Sequence, residues 1–251
     1  MSDQLHVCEM FSSIQGEGML AGRRQIFIRL ADCNLDCRYC DTDFAQSGSC
    51  RMEQQPGTNQ FQPVSRPLSA AMLVAKVEEW TALLPDIHHS VSLTGGEPLL
   101  SAEALQLLLP QLRRLLPVHL ETNGTMYLAL QQLRQHFDYI SMDMKLPSTS
   151  GCSDDLWELH RLFLQTAQAG PGQVSVKVVV GEESSLDEME RVCTIMTGVD
   201  PAIPLFIQPV TLPGGKVGIS AVHLLRLQAA AAARLADVRV IPQMHTMLGV
   251  L

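Results

Sequence analysis

Nowhere does the chain run for the ~20 consecutive apolar residues a membrane span needs; Pro, Gly or charge interrupts every apolar stretch sooner. The opening segment MSDQLHVCEMFSSIQGEG lacks a basic patch followed by an apolar core, so no signal peptide is expected. Both absences point to a cytoplasmic protein with no membrane partner. Excess positive charge is missing too. Lys and Arg total 18 against 26 Asp and Glu, a formal charge of −8, which argues against a non-specific grip on nucleic acid. No interior linker and no repeat longer than a strand–helix unit breaks the 251 residues, so one domain over 1–251 is the simplest expectation. At 46% hydrophobic and 18% charged, the composition can fill a core and does not resemble disorder.

A disulfide framework is equally unsupported. Seven cysteines is an odd number, and three of them fall within eight residues while Cys8, Cys50, Cys152 and Cys193 stand far apart. Clustering of this kind favours metal ligation. The four isolated cysteines are expected to be small buried hydrophobes, the commoner fate of a free thiol.

What is present is alternation. Short apolar runs at 6–12, 25–30, 90–93, 118–122, 139–143, 175–180, 205–208 and 238–241 read as strands. Amphipathic stretches at 70–84, 102–115, 126–136, 155–169, 186–197 and 221–236 read as helices between them. The expected fold class is α/β, with a parallel sheet and outer helices arranged as a partial (β/α)6-type barrel. Residues 46–67 break the rhythm: polar, rich in Gln, Gly and Pro and without periodicity, they are expected to form a variable loop insertion beside the site. Polar motifs gather at successive strand ends, namely Thr94-Gly-Gly-Glu97-Pro98, Glu121-Thr-Asn-Gly124, Asp143-Met-Lys145 and Gln208-Pro209. Ligands of parallel α/β folds bind at the carboxyl ends of strands, so one shared pocket is expected there.

The central motif is Cys33-Asn-Leu-Asp-Cys37-Arg-Tyr-Cys40, a C-x3-C-x2-C spacing. Three thiolates on one tight loop can each ligate one iron of a cubane and leave the fourth iron open. A structural zinc would ask for a second cysteine pair or histidines at matching spacing, and none follows. Together with Gly95-Gly96-Glu97-Pro98, the motif resembles the radical S-adenosylmethionine (SAM) superfamily. That resemblance implies a [4Fe–4S] cluster on Cys33, Cys37 and Cys40 whose unique iron is chelated by SAM. Reduction of the cluster would cleave SAM to methionine and a 5′-deoxyadenosyl radical. It further implies SAM contacts from Tyr39, Cys40 and Asp41, from Gly96 and Glu97, from Asp143, Met144 and Lys145, and from Gln208 and Pro209. Many members carry Ser-Pro-Lys at the third of these places, so Asp143 and Met144 depart from the pattern.

A narrower resemblance covers nearly the whole chain. Phe11-Ser-Ser-Ile14-Gln15-Gly16-Glu17-Gly18, then Phe27-Ile-Arg29-Leu, then the cysteines running into Asp41-Thr42, are similar to 7-carboxy-7-deazaguanine synthases. This implies conversion of 6-carboxy-5,6,7,8-tetrahydropterin to 7-carboxy-7-deazaguanine with loss of ammonia, on the route to queuosine in tRNA modification. The implied substrate contacts are Ile14, Gln15, Gly16, Glu17, Arg29, Thr94 and Leu251. Thr42 is the implied protein ligand of a Mg²⁺ ion, which keeps several waters and takes few protein oxygens. No side chain is implied as catalytic beyond the cluster and SAM. The implied partners are the small-molecule pterin, a flavodoxin- or ferredoxin-type reductant, and a second copy in a homodimer. Val240-Ile-Pro-Gln243-Met-His245 is similar to the family's closing Gln-x-His strand, with His245 equally readable as a core histidine.

Two competitors remain at the level of sequence. A glycyl-radical-enzyme activase shares the cysteine spacing but does not require Gln-Gly-Glu-Gly or Cys-Asp-Thr. A non-catalytic iron–sulfur sensor would need four saturating protein ligands and no SAM affinity.

Overall fold

The computed structural model describes residues 3–40 and 48–251. Ten strands build the main sheet: β1 Val7–Ile14, β2 Arg24–Leu30, β3 Ser49–Glu53, β4 Phe61–Ser65, β5 Ser90–Gly95, β6 Val118–Thr122, β7 Tyr139–Asp143, β8 Gln173–Val180, β9 Leu205–Pro209 and β10 Val238–Val240. Their spatial order is β10-β9-β8-β7-β6-β5-β2-β1-β3-β4. Along the run β2-β5-β6-β7-β8-β9-β10 every pairing is parallel. The helices are α1 Ala70–Leu83, α2 Ala102–Leu112, α3 Tyr127–Leu133, α4 Leu156–Gln168, α5 Leu186–Val199, α6 Ala221–Ala232 and a short α7, Met244–Leu248. Six βα units result, as the alternation in the sequence led one to expect. None of the described helices is long and apolar enough to cross a membrane.

Period-2 patterning decides which face does what. Ile26, Ile28, Val91, Leu93, Leu120, Ile140, Val176 and Val178 point to the helices and join the apolar core. Alternate positions carry Gln25, Ser92, His119, Ser141 and Lys177, so the concave face is polar. The helices start where side chains satisfy their free N–H groups. Ser185 and Glu188 form a capping box on α5, with Ser185 Oγ accepting from Glu188 N at 3.1 Å and Glu188 Oε2 accepting from Ser185 N at 2.9 Å. Ser69 and Ser220 cap α1 and α6 with their hydroxyls alone, accepting from Met72 N and His223 N.

Two departures from the sequence reading stand out. The first strand runs antiparallel to β2, a direction that periodicity does not encode. The expected loop at 46–67 is, over its described residues, an antiparallel hairpin of β3 and β4 that widens the sheet through a parallel β1–β3 pairing. Its strands leave no clear pattern because both are short, they carry Arg51 and Pro63, and β4 buries no side chain. Proline is tolerated because β4 is an edge strand.

One buried carboxylate fastens this hairpin. Glu53, 1% exposed, accepts from Ser12 N at 2.9 Å and Asn59 N at 2.7 Å. Glu53→Ala leaves the buried Ser12 N–H unpaired and is expected to lower stability by about 1–3 kcal/mol. Urea denaturation checks this, and a midpoint equal to that of the wild type would refute it.

Candidate active site

A cavity of about 250 Å³ opens on the concave face, between the cysteine loop, the segment after β1 and the C-terminal residues. Hydrogen bonds from three directions hold the cysteine loop. Glu97 N donates to Asp32 O at 2.7 Å, Arg38 N to Ser150 O at 2.9 Å, and Asn123 Nδ2 to Asn34 Oδ1 at 2.8 Å, with Asn34 Nδ2 also donating to Thr125 Oγ1 at 2.9 Å. The two glycines at the end of β5 are what allow the first of these bonds. A Cβ on Gly96 would lie 2.0 Å from Asp32 O, and one on Gly95 (φ +112°) 2.2 Å from Leu30 O. Close packing against β2 and the cysteine loop is thus a second reason for Gly-Gly, beside ligand approach.

Cys33, Cys37 and Cys40 all reach the cavity wall, Cys40 exposed and the other two half-buried. Among the described residues no three His, Cys, Asp or Glu side chains converge as ligands of a single ion. A cubane asks for something different, one thiolate per iron. Burial pushes the Cys33 thiol up and the Cys37 thiol up to about 12, so a bound metal is what would hold them as thiolates. Donor type, loop geometry and access therefore fit a cluster. Asp41 and Thr42 lie outside the described residues.

Four charges alternate across the cavity. Glu17 meets Lys177; Lys177 Nζ lies 3.1 Å from Asp143 Oδ2; Lys145 Nζ lies 2.9 Å from the same oxygen and 5.0 Å from the centroid of Tyr39. Burial works to raise the Asp143 carboxyl, but Lys145 and Lys177 overcome it and hold the group at about 2. Burial opposes ionisation of Glu17 as well, and Lys177 and Gln243 outweigh it, leaving the carboxyl below its ordinary range. Asp143 Oδ1 is buried with no hydrogen-bond partner. An acceptor left unpaired on a cavity wall fits a ligand donor, such as the ammonium or ribose hydroxyls of SAM.

Of the residues singled out in the sequence, Ile14, Gln15, Gly16, Glu17, Arg29, Thr94 and Leu251 all line this cavity, as do Tyr39, Gly96, Asp143, Lys145 and Gln208. Three others do not. Met144 is fully buried in the apolar core and Pro209 is buried off the wall. Glu97, 1% exposed, turns inward to accept from Leu99 N, Thr122 Oγ1 and Asn123 N at 2.8–3.1 Å. Its carboxylate, pushed up to about 7 by burial, ties β5 to β6 and does not face the cavity. Gln15 is also committed within the protein, with Nε2 donating to Gln25 Oε1 at 3.0 Å and Glu121 Oε1 at 2.9 Å. Arg29 reaches the wall with its Nε 3.2 Å from Glu9.

Glu121, which opens one of the strand-end motifs, lines the wall as expected; His119, Ser141, Lys177 and the Phe11–Phe27 pair, stacked at 5.0 Å and 10°, line it without having been assigned a role from the sequence. Lys177 did leave a signal, a lone charge in Val-Lys-Val-Val-Val. Nor do the isolated cysteines all behave as buried hydrophobes. Cys50 and Cys193 do, but Cys8 and Cys152 are half-exposed, and Cys152 Sγ lies 3.7 Å from Cys37 Sγ.

The C-terminal residues close the cavity against Gly16, whose carbonyl accepts from Met244 N at 3.0 Å. A Cβ on Gly16 would lie 2.2 Å from His245 Nδ1 and 2.7 Å from His245 N. Gly16→Ala is therefore expected to displace 243–248 and speed amide exchange there, as read by hydrogen–deuterium exchange; unchanged exchange would contradict this packing.

Beneath Lys145, His160 accepts from Lys145 N through Nε2 at 3.1 Å, which leaves Nδ1–H to donate to Gly124 O at 3.1 Å. Burial, against the pull of the Gly124 carbonyl, pushes His160 down to about 4 from 6.5. Because the folded value is depressed, this contribution is complete above pH ~6.5 and is lost as pH falls toward ~4, by about 3 kcal/mol. Urea midpoints of wild type should fall over that window, and His160→Gln should flatten the fall. Parallel pH profiles would rule the assignment out.

Comparison with known proteins places this cavity in a family. The model of the radical SAM superfamily matches residues 28–162, and members of that superfamily use a [4Fe–4S] cluster and SAM. The 7-carboxy-7-deazaguanine synthase of Geobacter sulfurreducens is 50% identical over 242 residues, covering 96% of each chain. That of Methanothermobacter thermautotrophicus is 34% identical, over 97% of this chain and 96% of its own. A crystal structure of QueE from Escherichia coli shares the fold, with a TM-score of 0.58 at 19% identity over 96% of this chain and 95% of that one. The chain belongs to the 7-carboxy-7-deazaguanine synthase family of radical SAM enzymes.

Proposed function

We propose that this enzyme converts 6-carboxy-5,6,7,8-tetrahydropterin to 7-carboxy-7-deazaguanine with release of ammonia. The observation that carries the reading is that the cysteine loop and the Gln15-Gly16-Glu17 segment line one and the same cavity. Cys33, Cys37 and Cys40 would hold the cluster, and the orphaned Asp143 Oδ1, the Tyr39 ring and Gln208 would meet SAM. Bound together, the cluster and SAM supply one-electron reduction and a radical able to abstract hydrogen.

The chain's own residues bind, orient and exclude water. Glu17 is kept ionised by Lys177 and the amides of Gln208 (3.2 Å) and Gln243 (2.8 Å), so it can accept the N–H groups of an amino-pyrimidinone edge. Phe11 and Phe27 offer a flat apolar shelf, and Arg29 a planar cation for a carboxylate. Glu121, gripped at Oε1 by Gln15 and by Ser92 at 2.6 Å, presents a fixed carboxylate on the wall. The last residues shield this space, with Ser13 Oγ donating to Leu251 O at 2.7 Å. Mg²⁺ on Thr42 belongs to the same proposal.

The proposal extends to one domain spanning 1–251 in the cytoplasm, a flavodoxin- or ferredoxin-type reductant, and a homodimer. Exposed Val222 and Leu225 on α6 provide apolar area for a second copy.

Anaerobically reconstituted protein given dithionite, SAM, Mg²⁺ and the carboxytetrahydropterin should form 7-carboxy-7-deazaguanine, detected by chromatography and mass. Cys37→Ala should abolish product and cluster absorbance, whereas Cys152→Ala should retain both. Cleavage of SAM without any deazaguanine would remove the substrate assignment and favour an activase. An electron paramagnetic resonance spectrum unmoved by SAM would favour a sensor.

A further inference from the structure

We propose that Lys177 is a positioning residue that couples SAM binding to substrate binding. For the identity of the second ligand the inference rests on the function proposed above.

Lys177 sits in β8 among Val176, Val178, Val179 and Val180, with its side chain 16% exposed. An ammonium in such a place needs partners. It has two, and they face different ligands. Glu17 stands beside Gln15 on the segment after β1, and Asp143 ends β7 next to Lys145 and the Tyr39 ring. Chain separation makes the bridge a tertiary device, since Lys177 Nζ joins residues 160 positions away to others in the adjacent strand.

Sharing is what transmits the effect. Asp143 Oδ2 is divided between Lys145 and Lys177, while Oδ1 is buried and unpartnered. A cationic or hydroxyl donor arriving at Oδ1 draws on that carboxylate's charge and weakens its hold on Lys177. The ammonium then leans further on Glu17, whose other oxygen is already fixed by Gln208 and Gln243. Glu17 becomes better fixed for the pterin's N–H groups. By linkage the pterin strengthens SAM binding by the same factor. Lys145 cannot substitute, because its ammonium meets Asp143 and the Tyr39 ring, both on the SAM side.

The test uses full-length protein carrying its cluster, left unreduced so that no turnover occurs. Dissociation constants for SAM are measured by calorimetry with and without saturating carboxytetrahydropterin, and the reverse. In wild type each ligand should tighten the other about 10-fold. Lys177→Met should bring that factor to about 1, and Lys177→Arg should keep most of it. Should the Met variant not fold, Lys177→Gln carries the measurement: its polar amide tolerates the site, but one bond shorter and uncharged it cannot bridge both carboxylates, and the factor should again fall to about 1. A purely structural lysine would weaken both ligands and leave the factor unchanged in the Met and Gln variants, which overturns the inference alone. Wild type that binds both ligands independently overturns it equally. Wild type that binds SAM but not the pterin overturns the proposed function, and this coupling with it.

Discussion

Charge neutrality inside the barrel is the constraint on which the rest of the site depends. Glu17, Lys177, Asp143 and Lys145 place two negative and two positive groups within hydrogen-bond reach of one another, on a concave face away from bulk water. Any one of them alone would be too costly to bury or would lose its charge. As an alternating set they stay ionised, with both lysines raised and both carboxylates lowered relative to their ordinary values. The set is built from three distant stretches of chain, so its order depends on correct strand register. Asp143 pairs with Lys177 across β7 and β8, and a slip of one residue would send one of them to the helices.

The same alternation separates stability from chemistry. Helix-facing positions are almost wholly apolar and supply the core, while cavity-facing positions are free to carry Ser, Gln, His and charge. The interior polar groups then satisfy one another. Gln25 donates to Ser90 at 2.6 Å, and His119, kept neutral by burial, bonds to Ser141 at 2.8 Å. A network of this kind fixes Glu121 and Gln15 before any ligand arrives, which reduces the reorganisation needed on binding.

Much of this was legible in the sequence, and the reasons are local. Eight of the ten main strands and all six longer helices were marked by periodicity, because each buries one face of a regular element. The cysteine loop and the wall residues at strand ends were marked by motif. What escaped is tertiary. Glu97 reads as a ligand contact by its place after Gly-Gly, yet three inward N–H and O–H donors claim it. Met144 reads as part of a polar strand end, yet the period of the strand turns it into the core. His119 and Lys177 look like isolated polar residues in apolar strands, and only their partners from other strands give them meaning. The β3–β4 hairpin was illegible because β3 is only five residues long and the edge strand β4 buries no side chain and so needs no hydrophobic pattern.

Cys152 shows why spacing along the chain is an incomplete guide to thiol chemistry. It stands 115 positions from Cys37, outside any motif, yet the turn Pro147–Ser150 delivers it to within 3.7 Å of the Cys37 sulfur. That turn is itself fixed to the cysteine loop by the Arg38 N–H on Ser150 O, and a Cβ on Gly151 would lie 2.6 Å from the Arg38 side chain. The fourth thiol is therefore held by the packing that shapes the cysteine loop. C-x3-C-x2-C places one thiolate on each of three irons, whereas a sulfur this close to Cys37 shares the space of a single corner. Contact with a ligand sulfur is thus separable from ligation, and the open iron that SAM chemistry requires does not have to be filled by the nearest extra cysteine.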